Sequence, residues 1–377
     1  MMANSNPDGL VRTELSGIWQ VLSDELSPYR GRKETVVRMV AACTITTLIV
    51  MTFRLPYAFL GIFYSFVISR QPPRWLVRNG FPAVAGSAAA VVYTVAGVQL
   101  FYDYEVLHFV FLVFTLYLVF YLKRAVGNDA VTFGFGVTAT VALTLIWDLP
   151  HPTEVHLIST FSLSFVVMLG TLVAMAVAWV FLQFGHAQDA PPVRSSAPFF
   201  VPDAFSNPEY GKFALKGCVA GLLCYVLDSS VAWPVIMGAC AETCIVAARP
   251  LSTGAGTRNE RLFVSVTALI LGGVVFGFGS HGLLLPYVDS VTGFMLQFAV
   301  IAALAAWVAT SSPRLAYAGT LGAMGFFFPM VQRFAPNPPL ARSGAFMLDL
   351  VLALFAFWLV LDGASDRQAS PEAAQFV

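Results

Sequence analysis

What most limits this chain is a succession of apolar runs, each close to the length that a bilayer demands. A helix crossing the ~30 Å hydrocarbon layer needs about 20 predominantly apolar residues. Such runs fall near 36–53, 55–69, 79–99, 105–122, 130–147 and 156–183, and again near 212–228, 231–248, 261–280, 290–310, 314–331 and 343–362. Charge is too scarce to clothe a water-facing surface. Only 11% of the residues are Asp, Glu, Lys or Arg and 58% are hydrophobic, whereas a soluble domain carries about 25% charged residues. The expected fold is therefore an all-α integral membrane protein of about twelve transmembrane helices. Basic and acidic residues balance at 21 each, which gives no case for nucleic acid as a partner. The five cysteines all lie inside apolar runs without a CxxC pair, as small buried hydrophobes do. No cofactor or metal is expected.

The polar stretches divide the chain. Residues 1–35 read as an amphipathic N-terminal segment, in which Leu15, Ile18, Trp19, Leu22 and Leu26 recur at helical spacing and suit a helix lying in the interface. No apolar stretch followed by a small-residue cleavage site marks a signal peptide. Residues 36–184 hold the first six runs, 185–211 form a Pro-rich connector, 212–362 hold the second six, and 363–377 read as a disordered tail. Orientation follows from Lys and Arg placement. With the N-terminus inside, eighteen of the 21 basic residues are cytoplasmic and only Arg54, Arg333 and Arg342 lie outside. Both termini are then cytoplasmic, and each half begins and ends inside. Halves of that parity are parallel repeats, related by an axis along the membrane normal. Spacing agrees: Arg38 and Lys216 stand 178 positions apart, as do Pro56 and Pro234.

One full charge sits deep within a span. Glu242 lies inside Ala232–Arg249, AWPVIMGACAETCIVAAR. An ionisable group at that depth is expensive and faces a bundle interior or a wet cavity. It suits proton exchange, and the bland alternative is a carboxyl hydrogen-bonded to a neighbouring helix. The earlier counterpart, Leu55–Arg70 (LPYAFLGIFYSFVISR), has the proline, the glycine and the closing arginine but no acid. Asp349, about two turns into the last run, is a second candidate proton site or a partner for a cation. Arg38 and Lys216 hold equivalent places at the inner ends of spans one and seven, where they could draw anions or simply anchor the helices. Arg54 and Arg342 could line an outer exit, since a guanidinium grips a carboxylate bidentately; plain interfacial snorkelling is the alternative. His108 reads as an outer-interface residue. The HPTEVH loop (His151, Glu154, His156) is too loosely built to fix a metal geometry. GxSxG, HExxH and Walker A signatures are lacking, so the chain does not read as an enzyme.

Several motifs occur in a telling order: RGRKETVVRMVAA, then LPYAF, then KFALKG, AWPVIMGACAET, PRLAYAGTLGAMGFFF and ARSGAF. In that order the chain resembles the FUSC family, the fusaric-acid-resistance and aromatic-acid-exporter group, which is related to the plant aluminium-activated malate transporters. The resemblance spans roughly 10–362. It implies a bacterial inner-membrane transporter that exports organic anions such as aromatic carboxylic acids, with a periplasmic membrane-fusion adaptor as a candidate partner and an oligomer as a candidate state. Family members often carry large cytoplasmic domains after each half, and here the connector is short. The residues and the resemblance together read as a proton-coupled exporter; a passive anion channel and a non-transporting scaffold subunit are the alternatives.

Overall fold

The computed structural model describes residues 27, 31–101, 104–127, 129–148, 153–184, 199–231, 258–279, 287–288, 290–311, 315–332, 351, 354–355 and 358. Glu242, Asp349, Arg342, Arg333, the His151–Pro152 part of the 151–156 loop, the segment Leu10–Leu26 and the tail lie outside them. Among the described residues the chain is helical: α1 (Arg32–Thr52), α2 (Ala58–Ser69), α3 (Pro73–Phe101), α4 (Glu105–Ala125), α5 (Asp129–Asp148), α6 (Thr153–Gln183), α7 (Pro208–Val231), α8 (Arg258–Ile270), α9 (Val291–Ala309) and α10 (Ala316–Gln332). A π-helical stretch, Leu271–Phe278, continues α8. Among the described residues five helices are long and apolar enough to cross a membrane: Arg32–Thr52, Pro73–Phe101, Val106–Ala125, Leu157–Gln183 and Val291–Ala309. The protein is a multi-pass, all-α membrane protein.

Local chemistry sets these elements. Gly31, at φ 88, supplies the left-handed residue before α1. Within α1 the hydroxyls of Thr44, Thr46 and Thr47 each donate to the carbonyl one turn back, at 2.8 Å; in an apolar setting that satisfies a donor which water cannot reach. At its far end the chain reverses through Arg54 (φ 50) and Tyr57 (φ 56), two left-handed non-glycine residues that cost roughly 1–2 kcal/mol each. Pro56 sits between them and cannot extend α1. The reversal uses up the outer part of the run expected at 55–69. What remains, α2, has 12 residues and at 1.5 Å per residue is about 18 Å long, well short of the bilayer. Nine of its residues are buried, so α2 is an internal helix shielded by its neighbours.

Those neighbours are α1, α6 and α10, and α3 packs in turn on α5 and α6. The α2–α6 crossing is a backbone contact: a Cβ on Gly61 would lie 2.7 Å from the Val166 carbonyl oxygen, and one on Gly170 would overlap the Gly61 carbonyl. Small residues permit such approaches in lipid, where packing rather than hydrophobicity drives association. Among the described residues the first and second halves meet at three places, two of them α1 against α9 and α4 against α7. A third contact is aromatic. Phe59 and Phe66 of α2 meet Phe328 and Phe327 of α10 edge-on, with ring centroids 4.7 and 5.5 Å apart, and Phe298 of α9 stacks on Phe327 at 5.4 Å. This region is closely packed.

Outward faces are apolar at helical spacing. Val106, Val110 and Phe114 on α4, and Leu296, Val300 and Leu304 on α9, are exposed; such stripes suit lipid. His108, one turn from Tyr104, is instead 3% exposed. It belongs to the inner face of α4, because its position in the helix turns it away from that stripe.

After α4 the connector is pinned. The Gly127 N–H donates to the Phe199 carbonyl (3.1 Å) and the Val201 N–H to the Ala125 carbonyl (2.9 Å). Asp203 accepts from Asn207 Nδ2 and from the Tyr210 hydroxyl, both at 3.0 Å, closing the turn that leads into α7. These bonds, the one from Asn207 foremost, hold the Asp203 carboxyl below its ordinary value of 3.8. A depressed carboxyl stabilises the fold above its unfolded value and loses that contribution as pH falls through the folded one. Amide protection in 203–210, taken relative to the intrinsic exchange rate at each pH, is therefore expected to be full at neutral pH and to fall below about pH 3.8; Asp203→Ala should show the lowered protection at neutral pH. Exchange that stays slow in Asp203→Ala would refute the assignment.

Candidate functional site: the α1–α2 hairpin and its charged ends

At one end of the hairpin three helix termini converge: the start of α1 and the carbonyl ends of α2 and α9. The first residue of α1, Arg32, is 0% exposed. Its Nη1 donates to the Ser27 carbonyl at 2.8 Å, its Nε to Thr310 Oγ1 at 3.3 Å, and its Nη2 to the Trp307 carbonyl. The guanidinium carbon stands 4.3 Å over the Trp307 ring. One and a half turns on, Arg38 is 4% exposed and donates to the Ser69 carbonyl (2.8 and 3.2 Å) and the Gln71 carbonyl (2.7 Å). Unpaired carbonyls at a helix end carry about half a negative charge. Each arginine is therefore a charged C-cap, Arg38 for α2 within its own half and Arg32 for α9 across the boundary between halves.

The candidate anion-path cations are thus placed unequally. Arg38 is engaged by carbonyls and turned into the protein. Lys216 is partly buried on α7, the helix that packs on α4, and so lies apart from the α1–α9 contact that holds Arg32. Arg54 is exposed at the opposite end of the hairpin, in the reversal before α2. There it stands beside the N-terminus of α2, the positive end of that helix's dipole, with Tyr57 as the N-cap residue. Glu242, Asp349 and Arg342 lie outside the described residues, so nothing here places them.

The body of the bundle also carries polar atoms. Thr94 on α3, Thr138 on α5 and Ser69 on α2 keep buried hydroxyls without a protein hydrogen-bond partner, as does the Gln297 side-chain amide on α9. Ser164 on α6 donates to the Ser87 carbonyl of α3 at 3.4 Å. Among the described residues no cluster of three His, Cys, Asp or Glu side chains could hold a metal.

Sequence reasoning overlooked Arg32. It is one of four basic residues around the start of α1 (Arg30, Arg32, Lys33 and Arg38), and nothing in its sequence neighbours distinguishes it from Lys33, which is exposed. The one local signal is Gly31, which starts the helix so that position 32 turns toward α9.

Comparison with known proteins places the chain near one group. Over 141 residues it is 33% identical to the multidrug resistance protein MdtO of Escherichia coli O157:H7 and to that of Shigella flexneri, and 32% identical to that of Escherichia coli strain K12. The matched stretch is 37% of this chain and 20% of each relative, so the chain covers about a fifth of those proteins. No protein-family model matches the chain, and no solved structure matches it.

Proposed function

We propose that this chain is an export protein of the FUSC type, which moves organic anions, aromatic carboxylic acids above all, out across a bacterial inner membrane in exchange for protons. The observation that carries the proposal is α2. It is a short, enclosed, Pro-preceded helix, and the 178-residue spacing pairs it with the stretch that contains Glu242. Short or interrupted helices at matching places in two halves are the best sequence pointer to a transport site. The similarity to proteins named for multidrug resistance supports efflux. The packing of α1 on α9 and of α4 on α7 supports the duplication, because a two-fold relation between six-helix halves exchanges those two contacts. In this reading Glu242 carries the proton, Asp349 is a second proton site, and Arg54 with the α2 N-terminus receives the carboxylate at the outer end, with Arg342 beside it. Arg38 and Lys216 set a positive potential at the inner end.

The test is efflux of an aromatic carboxylate from proteoliposomes under an imposed pH gradient. Wild type is expected to respond to the gradient; Glu242→Gln should abolish the response, a loss of about a hundredfold or more, the usual range for removing a positioned proton-transfer group. Pumping by Glu242→Gln at the wild-type rate would remove Glu242 from the mechanism. Substrate current in wild type that ignores the gradient would favour a passive channel instead.

A further inference from the structure

Three phenylalanines stand out from the connector at the end of the bundle where α4 finishes and α7 begins. Phe205 is 78% exposed and Phe199 58% exposed, with Phe200 between them. Their ring centroids lie 5.0 Å (Phe199–Phe200) and 5.2 Å (Phe200–Phe205) apart. This is a built knob. The backbone beneath it is tied to residues 125–127 by the two hydrogen bonds already described, and the Tyr121 hydroxyl donates to the Ala204 carbonyl at 2.8 Å. An ordered aromatic cluster held out from its own protein is costly unless something apolar receives it.

We propose that this knob inserts into the headgroup boundary of the adjoining leaflet and that the leaflet it fits is anionic. Depth is the first argument. Phe205 lies three residues before α7, whose outward stripe of Leu215, Val219, Leu223 and Val226 is exposed at helical spacing. The knob thus continues the lipid-facing stripe at the level where the hydrocarbon layer gives way to headgroups, the depth at which aromatic side chains collect. Charge is the second. Lys123 and Arg124 close α4, and Lys212 and Lys216 lie in the first turns of α7. Of the three acids nearby, Glu209 pairs with Lys212 at 2.7 Å, Asp203 is held by Asn207 and Tyr210, and Asp129 opens α5, against the four basic residues. The surplus is positive, as anionic lipid requires. Together, rings and cations give this rim the composition of an interfacial anchor. The inference rests on the membrane reading of the helices and is independent of transport.

The experiment places an environment-sensitive fluorophore on Phe205→Cys, and separately on Phe199→Cys, in the full chain, with the labelled unsubstituted protein as the background of native cysteines. Each is reconstituted into vesicles of phosphatidylethanolamine with phosphatidylglycerol and into vesicles of phosphatidylcholine alone. Expected are a blue shift, quenching by lipids spin-labelled near the headgroup and loss of quenching by aqueous iodide, all stronger with phosphatidylglycerol. Iodide quenching that persists in both vesicles overturns the proposal. So does protection from both quenchers, which would mean that a protein surface covers the knob, and so does equal insertion in both lipids, which removes the anionic preference. Label on Val219→Cys is the control: if lipid fails to quench it, the membrane reading itself falls, whereas quenching there with none at 205 sinks the knob alone.

Discussion

Arg32→Ala is expected to lower the thermal stability of the detergent-solubilised protein sharply and to loosen the two halves from one another. The residue is fully enclosed, and its guanidinium meets three partners from two segments distant in sequence, Ser27 on one side and Trp307 and Thr310 on the other. Hydrogen bonds from a charged donor contribute about 1.5–3 kcal/mol each, and a desolvated cation–π contact about 2. Against these stands the cost of burying the charge, which the alanine variant no longer bears. The net loss should be on the order of 2–4 kcal/mol. Arg32→Lys separates charge from shape. It keeps the cation but cannot fork to three acceptors while lying flat on the Trp307 ring, so it should recover less than half of the loss. Melting followed by tryptophan emission reads the effect, since Trp307 is the ring beneath the guanidinium. A wild-type melting curve for Arg32→Ala would show that the capping of α9 contributes nothing.

Gly170→Ala should be at least as damaging. A Cβ there overlaps the Gly61 carbonyl oxygen, and the atom that must move is backbone of a helix enclosed on all sides. Overpacking costs about 1–3 kcal/mol where side chains can shift; with backbone on both sides the upper end of that range or more is expected, together with loss of folded protein in the membrane fraction. Gly221→Ala is the matched control. Its Cβ would meet only the Leu116 side chain, at 3.5 Å, an ordinary contact, and the gain in helix propensity over glycine is up to about 1 kcal/mol. The pair therefore predicts opposite signs for the same substitution. Equal melting temperatures for the two variants would mean that α2 and α6 do not cross where the structure places them.

Both results bear on how α2 is held. The C-terminal end is capped by Arg38 and the first turn is clamped by the Gly61–Gly170 contact, while aromatic rings from α10 close its flank. The end beside Arg54 and Tyr57 is the positive end of the helix dipole, and the proposed export mechanism gives that end the carboxylate.

The amino-acid order by itself determined the class of this protein and where most helices run. Hydropathy adds along a chain, so a run of about 20 apolar residues declares a bilayer helix with no reference to its neighbours. Pro56 and Gly31 likewise mark ends by local sterics. The resemblance in motif order pointed to exporters, and the similarity to multidrug resistance proteins agrees in kind, though substrate and proton coupling stand as proposals. What only the tertiary structure decided is which members of a class do which job. Arg32 and Lys33 are neighbours of equal charge; one is the buried cap of a helix 275 residues away and the other is exposed. Gly61 and Gly221 look alike on paper, yet one touches backbone and the other open side-chain space. Such distinctions depend on which face of a helix meets which partner, and that is a property of pairs of distant segments that no single stretch of sequence contains.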